Sequence, residues 1–147
     1  MGTRSLTEIR TAWDKKEKPQ TVAIIYRHWD GYPSGHGQDL YNFLNGLKIV
    51  NGIGGDMPKR YANGPGRLAS QLIAYLQDEG HDPNLIPTTD PCGQEFHYVI
   101  DAYYESPLKI TVYDGPMTAF GSGGEDCTNK IFEGSLSKFK RFIDGDR

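Results

Sequence analysis

The hydrophobic and polar positions fall into short segments with two different periods. Residues 21–29 are β-branched and apolar at consecutive positions, which is typical of a strand covered on both faces. Residues 96–104 and 108–113 alternate apolar and polar side chains, and the short connection between them predicts an antiparallel hairpin. Residues 85–87 predict a short strand, which its proline places at a sheet edge, and Ile131 and Phe132 predict a last one.

Three other segments have the helical period. Apolar residues at positions 40, 43, 44 and 47 recur at the spacing of an amphipathic helix, which ends at Asn45-Gly46 or continues to Val50. A second helix follows Gly66, with Gly80 as the glycine that ends it. A third begins after Ser135, which is expected to cap it.

The first 20 residues are polar and charged, with Leu6, Ile9 and Trp13 at spacings of three and four. We interpret residues 1–20 as a flexible or short helical N-terminal segment and residues 21–147 as a single domain. The order strand, helix, helix, strands, helix does not follow the alternation of a doubly wound sheet. It predicts a two-layer α+β fold, with a mostly antiparallel sheet of four to five strands and helices packed on one face.

Composition and charge exclude several classes of partner. No apolar stretch approaches the roughly 18 residues that a membrane span needs, so we expect no membrane partner. The net charge of −3 gives no basic field for nucleic acid, which we therefore do not expect as a partner. Cys92 and Cys127 form no Cys-x-x-Cys motif, and the chain starts without an apolar leader. We expect inert free thiols in the cytoplasm, the alternative being one bridge between two loops.

The 18 glycines and 9 prolines gather in a few loops, and one of these joins the best strand to the first helix. A helix start offers unpaired N–H groups and a positive dipole end, which attract anions, and glycines let a ligand approach the backbone. The alternative is that these polar residues only shape a turn. The candidate ligand-binding residues at this junction are Arg27, His28, Asp30, Tyr32, Ser34, Gly35, His36 and Gly37.

The junction also carries a resemblance. The string Tyr-Arg-His-Trp-Asp-Gly-Tyr-Pro-Ser-Gly at residues 26–35 resembles a motif of small prokaryotic and phage proteins with no established activity. Looser similarity extends to residues 62–72 and 96–100. The resemblance transfers no catalytic residue. It implies only that the two glycine-rich loops belong to one feature.

The second glycine-rich loop leads into the second helix. Its candidate ligand-binding residues are Gly64, Gly66 and Arg67, with Lys59 and Arg60 beside them. Two cationic helix starts that face each other would form a pocket for a phosphate-bearing molecule. Exposed arginines and lysines are, however, more commonly just solvated.

Three functions follow from these features. The favoured one is binding of an anionic or nucleotide-like small molecule at the two glycine-rich helix entrances. The alternative is a protein–protein interaction module without a small ligand, or a homo-oligomer, that uses the tyrosine-rich hairpin or the acidic surface. The least favoured is a hydrolase or phosphodiesterase built on His28, Asp30 and His36. The spacing of these three residues matches no standard zinc signature, so we predict no metal site and no cofactor.

Overall fold

The computed structural model describes residues 2–51, 60–87, 94–104, 106–115 and 129–145. Cys92, Cys127 and Lys59, on which some of the sequence predictions fall, lie outside these ranges. The strands are β1 Ser5–Ala12, β2 Gln20–Arg27, β3 Lys48–Val50, β4 Tyr61–Asn63, β5 Asn84–Ile86, β6 Phe96–Tyr103, β7 Lys109–Asp114 and β8 Lys130–Gly134. The helices are α1 Gln38–Leu44, α2 Pro65–Asp78 and α3 Leu136–Asp144, and a π-helical turn, Pro33–Gly37, leads directly into α1.

The main sheet has six strands in the order β5-β2-β1-β6-β7-β8. β1 and β6 are parallel, and the other neighbours are antiparallel. A separate parallel pair is formed by β3 and β4. The predicted α+β class and mostly antiparallel sheet are therefore confirmed, but the sheet has six strands rather than four to five.

The additional strand is β1, which lies in the middle of the sheet, so the interpretation of residues 1–20 as a flexible or helical segment is wrong for Ser5–Ala12. Glu8 and Arg10 look like surface residues in the sequence, but Glu8 is buried and both are paired with side chains of β6. Such pairing offsets the cost of burying charge, which is why a charged segment can serve as a central strand.

All three helices contribute to a single core on one face of the sheet. Ile9, Ile25 and Ile100 from adjacent strands pack in one apolar cluster with helix residues, including Leu40, Leu72 and Phe139. Side chains of a strand alternate between faces, so the neighbouring residues Glu8 and Arg10 lie on the opposite face.

Two of the helix boundaries have clear local causes. α1 ends at Leu44 because residues 44–47 form a turn, in which Leu47 N–H donates to Leu44 O at 3.0 Å and Gly46 has φ of +81°. A positive φ at that position of a type II turn favours glycine, and the helix does not continue to Val50. The predicted cap of α3 is confirmed, since Ser135 Oγ accepts a hydrogen bond from Lys138 N–H. Among the described residues, we find no helix with the length and apolarity to cross a membrane.

The register defines two ends of the sheet, which position the candidate residues. Ser5 pairs with Arg27 on one side and with Phe96 on the other, and these residues mark what we call the Ser5 end. Ala12 pairs with Tyr103 at what we call the Tyr103 end. β6 has eight residues, so the two ends are about 23 Å apart.

Candidate functional site

The two predicted helix entrances lie at opposite ends of the sheet. Residues 28–37 follow Arg27 at the Ser5 end, and Tyr98 Oη fixes this loop by donating to Gly31 O at 2.6 Å. A Cβ added to Gly64 would lie 3.4 Å from Tyr104 Oη, which places the start of α2 at the Tyr103 end. α2 has 14 residues, so it is about 20 Å long, and His81 just beyond it contacts Arg27. The two entrances therefore do not face each other across one cleft, and the single shared pocket of the favoured hypothesis does not form.

At the Ser5 end, Arg27 is the centre of a closed network. Arg27 is 1% exposed, and its Nη1 lies 2.6 Å from Asp39 Oδ2 and 3.0 Å from His36 Nδ1. Its Nη2 lies 3.1 Å from His81 Nδ1, and its Nε donates to Trp29 O at 2.8 Å. We call these residues, with Thr7, the Arg27 network. All three nitrogens of the guanidinium contact acceptors of the protein itself.

His36 completes this network as a neutral side chain. It is fully buried, and burial lowers its pKa well below the ordinary value, with the charges of Arg27 and His81 adding to the effect. Arginine only donates hydrogen bonds, so His36 Nδ1 accepts from Arg27. The Nε2–H then donates to Thr7 Oγ1 at 2.6 Å. Both ring nitrogens are satisfied, and neither is available to a metal or a substrate.

The glycines of the junction lie close to other parts of the chain. A Cβ on Gly35 would lie only 2.5 Å from Asp30 O and 3.0 Å from the Tyr32 ring. A Cβ on Gly37 would contact Ile143 and Phe139 in the core, at 3.4 and 3.5 Å. Packing within the chain therefore accounts for the absence of a side chain at Gly35, without any ligand.

The other junction residues do not assemble a reactive centre with His36. The Nδ1 atom of His28 lies 3.1 Å from Tyr26 Oη, so its contacts are separate from those of His36. Asp30 has φ of +58° and accepts a hydrogen bond from Tyr32 Oη at 3.3 Å, while Ser34 is exposed. Within the described ranges, no three His, Cys, Asp or Glu side chains are grouped so that they could hold a metal. The His28, Asp30 and His36 constellation of the hydrolase hypothesis is not present.

At the Tyr103 end, the start of α2 forms part of an open cavity. Gly64 has φ of +89° and ψ of 167°, a conformation that is essentially restricted to glycine, and Gly66 is exposed with free space where a Cβ would be. The cavity has a volume of about 380 Å³. We call it the arginine pocket, and its lining residues are Phe43, Leu47, Arg60, Tyr61, Arg67 and Gln71.

The two arginines of the pocket are held differently. Arg60 Nη1 donates to Asn45 O and Nη2 to Phe43 O, both at 2.6 Å, and these bonds fix its guanidinium at the C-terminal end of α1. The exposed Arg67 guanidinium has no hydrogen bond or ion pair with any described residue. Neither arginine has a carboxylate partner in the described part of the chain. The two backbone carbonyls at the C-terminal end of α1 offset part of the Arg60 charge, and Arg67 has no such acceptors among the described residues.

Two of the four tyrosines near the hairpin are buried, and the other two, Tyr104 and Tyr113, are half-buried. Tyr98 is fully buried on the helix side of the sheet, and Tyr103 is 4% exposed. These two positions are five residues apart on one strand, so their side chains point to opposite faces. Among the tyrosines with at least a third of their surface exposed are Tyr32 and Tyr61, which lie on other elements.

A second buried histidine was not among the predicted site residues. His97 is fully buried, its Nε2 lies 3.1 Å from Glu8 Oε1, and its Nδ1 has no hydrogen-bond partner among the residues that the structure describes. Burial would raise the pKa of Glu8, but hydrogen bonds from His97 and Thr21 together with nearby positive charge hold this pKa below its ordinary value. The β-branched residues Thr7, Ile9 and Thr11 favour a strand at β1, but no local pattern identifies His97 as the partner of Glu8.

No protein-family profile, curated protein or solved structure matches the chain. The resemblance of residues 26–35 to prokaryotic and phage proteins therefore stays a prediction.

Proposed function

We propose that the protein binds an anionic small molecule in the arginine pocket. The observation that carries this proposal is the position of Arg67, a cation without a protein partner among the described residues, beside a second cation in one cavity. The proposal keeps one of the two helix entrances that the sequence favoured and gives up the other. We also propose a cytoplasmic location for the protein, as expected from the sequence.

The place of Arg67 in its helix supports a functional reason for its charge. Arg67 lies in the first turn of α2, which contains no acidic residue. The positive end of the helix dipole disfavours a cation there by about 0.3–1 kcal/mol. A residue that opposes its local electrostatic preference is commonly explained by function, and a bound anion would reverse the penalty.

Arg60 supports the same interpretation through its rigidity. Its two hydrogen bonds to backbone carbonyls of Asn45 and Phe43 hold the guanidinium in place before any ligand arrives. A preorganised donor binds with a smaller loss of side-chain entropy than a mobile one. Phe43 and Tyr61 add aromatic surface, which suits a ligand with a ring or chain attached to its anionic group.

Pyrophosphate and methyl phosphate are suitable probes, titrated at an ionic strength held constant with sodium chloride. A ligand at 100 times its dissociation constant adds about 2.7 kcal/mol to the free energy of unfolding. Arg67→Gln should abolish this stabilisation, and it should also stabilise the free protein by about 0.3–1 kcal/mol because it removes a cation from the helix start.

Arg141→Gln is the matched control, since Arg141 is an exposed arginine in the last turn of α3. It should leave the anion effect unchanged and slightly destabilise the free protein, because a cation near a helix C-terminus is favourable. The proposal would be overturned by anions that stabilise no more than chloride, or by an Arg67→Gln variant that keeps the full anion effect.

A further inference from the structure

Beside the arginine pocket lies a larger cavity of about 520 Å³, which we call the apolar groove. Its aliphatic wall comes from the end of α1, from the chain that follows it and from the starts of β7 and α3. The residues that give it this character include Leu44, Leu47, Ile49, Leu108 and Leu136. Each of the two cavities is within the usual size range of small-molecule sites, about 300–1,000 Å³.

The groove and the pocket are contiguous. Leu47 lines both of them. Gly46 lines the groove, and a Cβ added there would lie 3.9 Å from Arg60 Nη1, so the fixed guanidinium lies at the boundary between the cavities. Tyr104 also lines the groove, and its hydroxyl lies beside Gly64 at the start of α2. Apolar surface and positive charge therefore meet within the length of one small molecule.

We infer that the ligand is an amphipathic anion, with its charged head between Arg60 and Arg67 and its apolar chain or ring in the groove beyond Leu47. This inference rests on the proposed function and adds the chemical class of the ligand to it. The charge complementarity of the pocket selects the head, and the aliphatic wall selects the tail. A small inorganic anion would leave the groove empty, and a neutral apolar molecule would leave Arg67 uncompensated.

A series of n-alkyl phosphates from methyl to octyl, kept below their micelle concentrations, separates the two parts of the site. Burial of one methylene is worth about 0.8 kcal/mol, so each added carbon should tighten binding about fourfold until the groove is filled. Titration calorimetry gives the dissociation constant of each member. A parallel series of n-alkanoates tells whether the head is a phosphate ester or a carboxylate, since the head with the tighter binding at equal chain length identifies it.

Three variants assign the parts of the molecule to the cavities. Arg67→Gln should weaken every phosphate by the same factor and leave the dependence on chain length unchanged. Leu108→Gln and Ser106→Trp change residues that line the groove and not the arginine pocket, and they should flatten that dependence while methyl phosphate binds as before. Ser106 is half-buried at the groove, so its variant serves as a second test if Leu108→Gln lowers the stability of the fold.

The outcomes distinguish the inference from the function on which it rests. Binding that depends on Arg67 but not on chain length would overturn the amphipathic ligand and leave anion binding in place. A chain-length dependence that survives both groove variants would place the tail elsewhere and also overturn the inference. Both proposals would be overturned if affinity depended on chain length but Arg67→Gln had no effect on it. They would also be overturned if no phosphate and no alkanoate bound.

Discussion

The Arg27 network and the arginine pocket contain similar residues in opposite situations. Each has arginine beside a glycine-containing loop that leads into a helix. Arg27 is 1% exposed and contacts acceptors on Trp29, His36, Asp39 and His81. Arg67 is exposed, lines a cavity and has no comparable partner among the described residues.

The difference shows that the acceptors around an arginine, and not its local sequence, decide whether it can bind a ligand. A buried guanidinium surrounded by protein acceptors is a structural element, because any ligand would have to displace bonds that already exist. An exposed guanidinium without acceptors can gain bonds only from solvent or from a ligand. Three predictions, in decreasing order of expected effect, test this contrast.

The largest expected change in the free energy of unfolding comes from removing the charge of Arg27, and the same change at Arg67 is the comparison. Arg27→Met leaves the buried His36 Nδ1 without its donor and removes the charge-assisted bond to Asp39, which keeps only its contact with His81. Together these losses should cost about 3–5 kcal/mol of stability. Arg67→Met, the matched control, should change the free energy of unfolding by no more than about 1 kcal/mol. Urea unfolding at neutral pH measures the stability of both variants. Equal effects would contradict the distinction between the closed Arg27 network and the open arginine pocket.

The fold could be predicted from the sequence wherever one side of an element is apolar. The hairpin of β6 and β7, the edge strand β5 and the three helices follow from periodicity, and each is found. β1 does not have such an apolar side, and only its β-branched residues favour a strand, because Glu8 and Arg10 give it the polarity of a surface segment. Their partners, His97 and Asp101, are 89 and 91 positions away, so the pairing that buries them is not visible in local sequence.

The second prediction compares two glycines at the start of α2. Gly64→Ala forces a side chain into a backbone region with φ of +89°, close to Tyr104 Oη, and should cost about 1–3 kcal/mol. Gly66→Ala, two residues later, should be neutral or stabilise by up to about 1 kcal/mol, because the residue is helical and a Cβ would meet nothing within 4 Å. Thermal unfolding of the two variants side by side measures the difference, and a destabilised Gly66→Ala variant would show that Gly66 has a role its open surroundings do not explain.

The candidate site could be predicted only in part. The sequence places Arg67 at a helix start, and the charge and glycines there are local features. It cannot show that residues 28–37 and 64–67 lie at opposite ends of the sheet, because this separation depends on the central position of β1 and on the direction of α2. Leu47 and Tyr61 join the pocket through tertiary packing, which leaves no pattern in the chain.

The smallest expected effect is a pH dependence of the free energy of unfolding. It tests whether the Arg27 network at the Ser5 end keeps His36 neutral in the folded protein. The pKa of His36 is lowered in the folded protein by burial, from an ordinary value of 6.5. Below pH 6.5 the unfolded chain therefore takes up a proton that the folded protein does not, and stability falls as the pH falls. A difference of one bound proton between the unfolded and folded states changes the free energy of unfolding by at most about 1.4 kcal/mol per pH unit.

His36→Gln isolates this contribution, because a glutamine amide can accept from Arg27 and donate to Thr7 without titrating. Urea unfolding of both proteins between pH 7.5 and pH 5 should show the wild type losing stability more steeply than the variant. His28→Gln, a change in a partly exposed histidine two residues from Tyr26, should leave the steeper dependence in place. If stability fell equally with pH in the wild type and in His36→Gln, His36 would take up its proton in the folded protein as readily as in the unfolded chain. That result would contradict the description of the Arg27 network as closed.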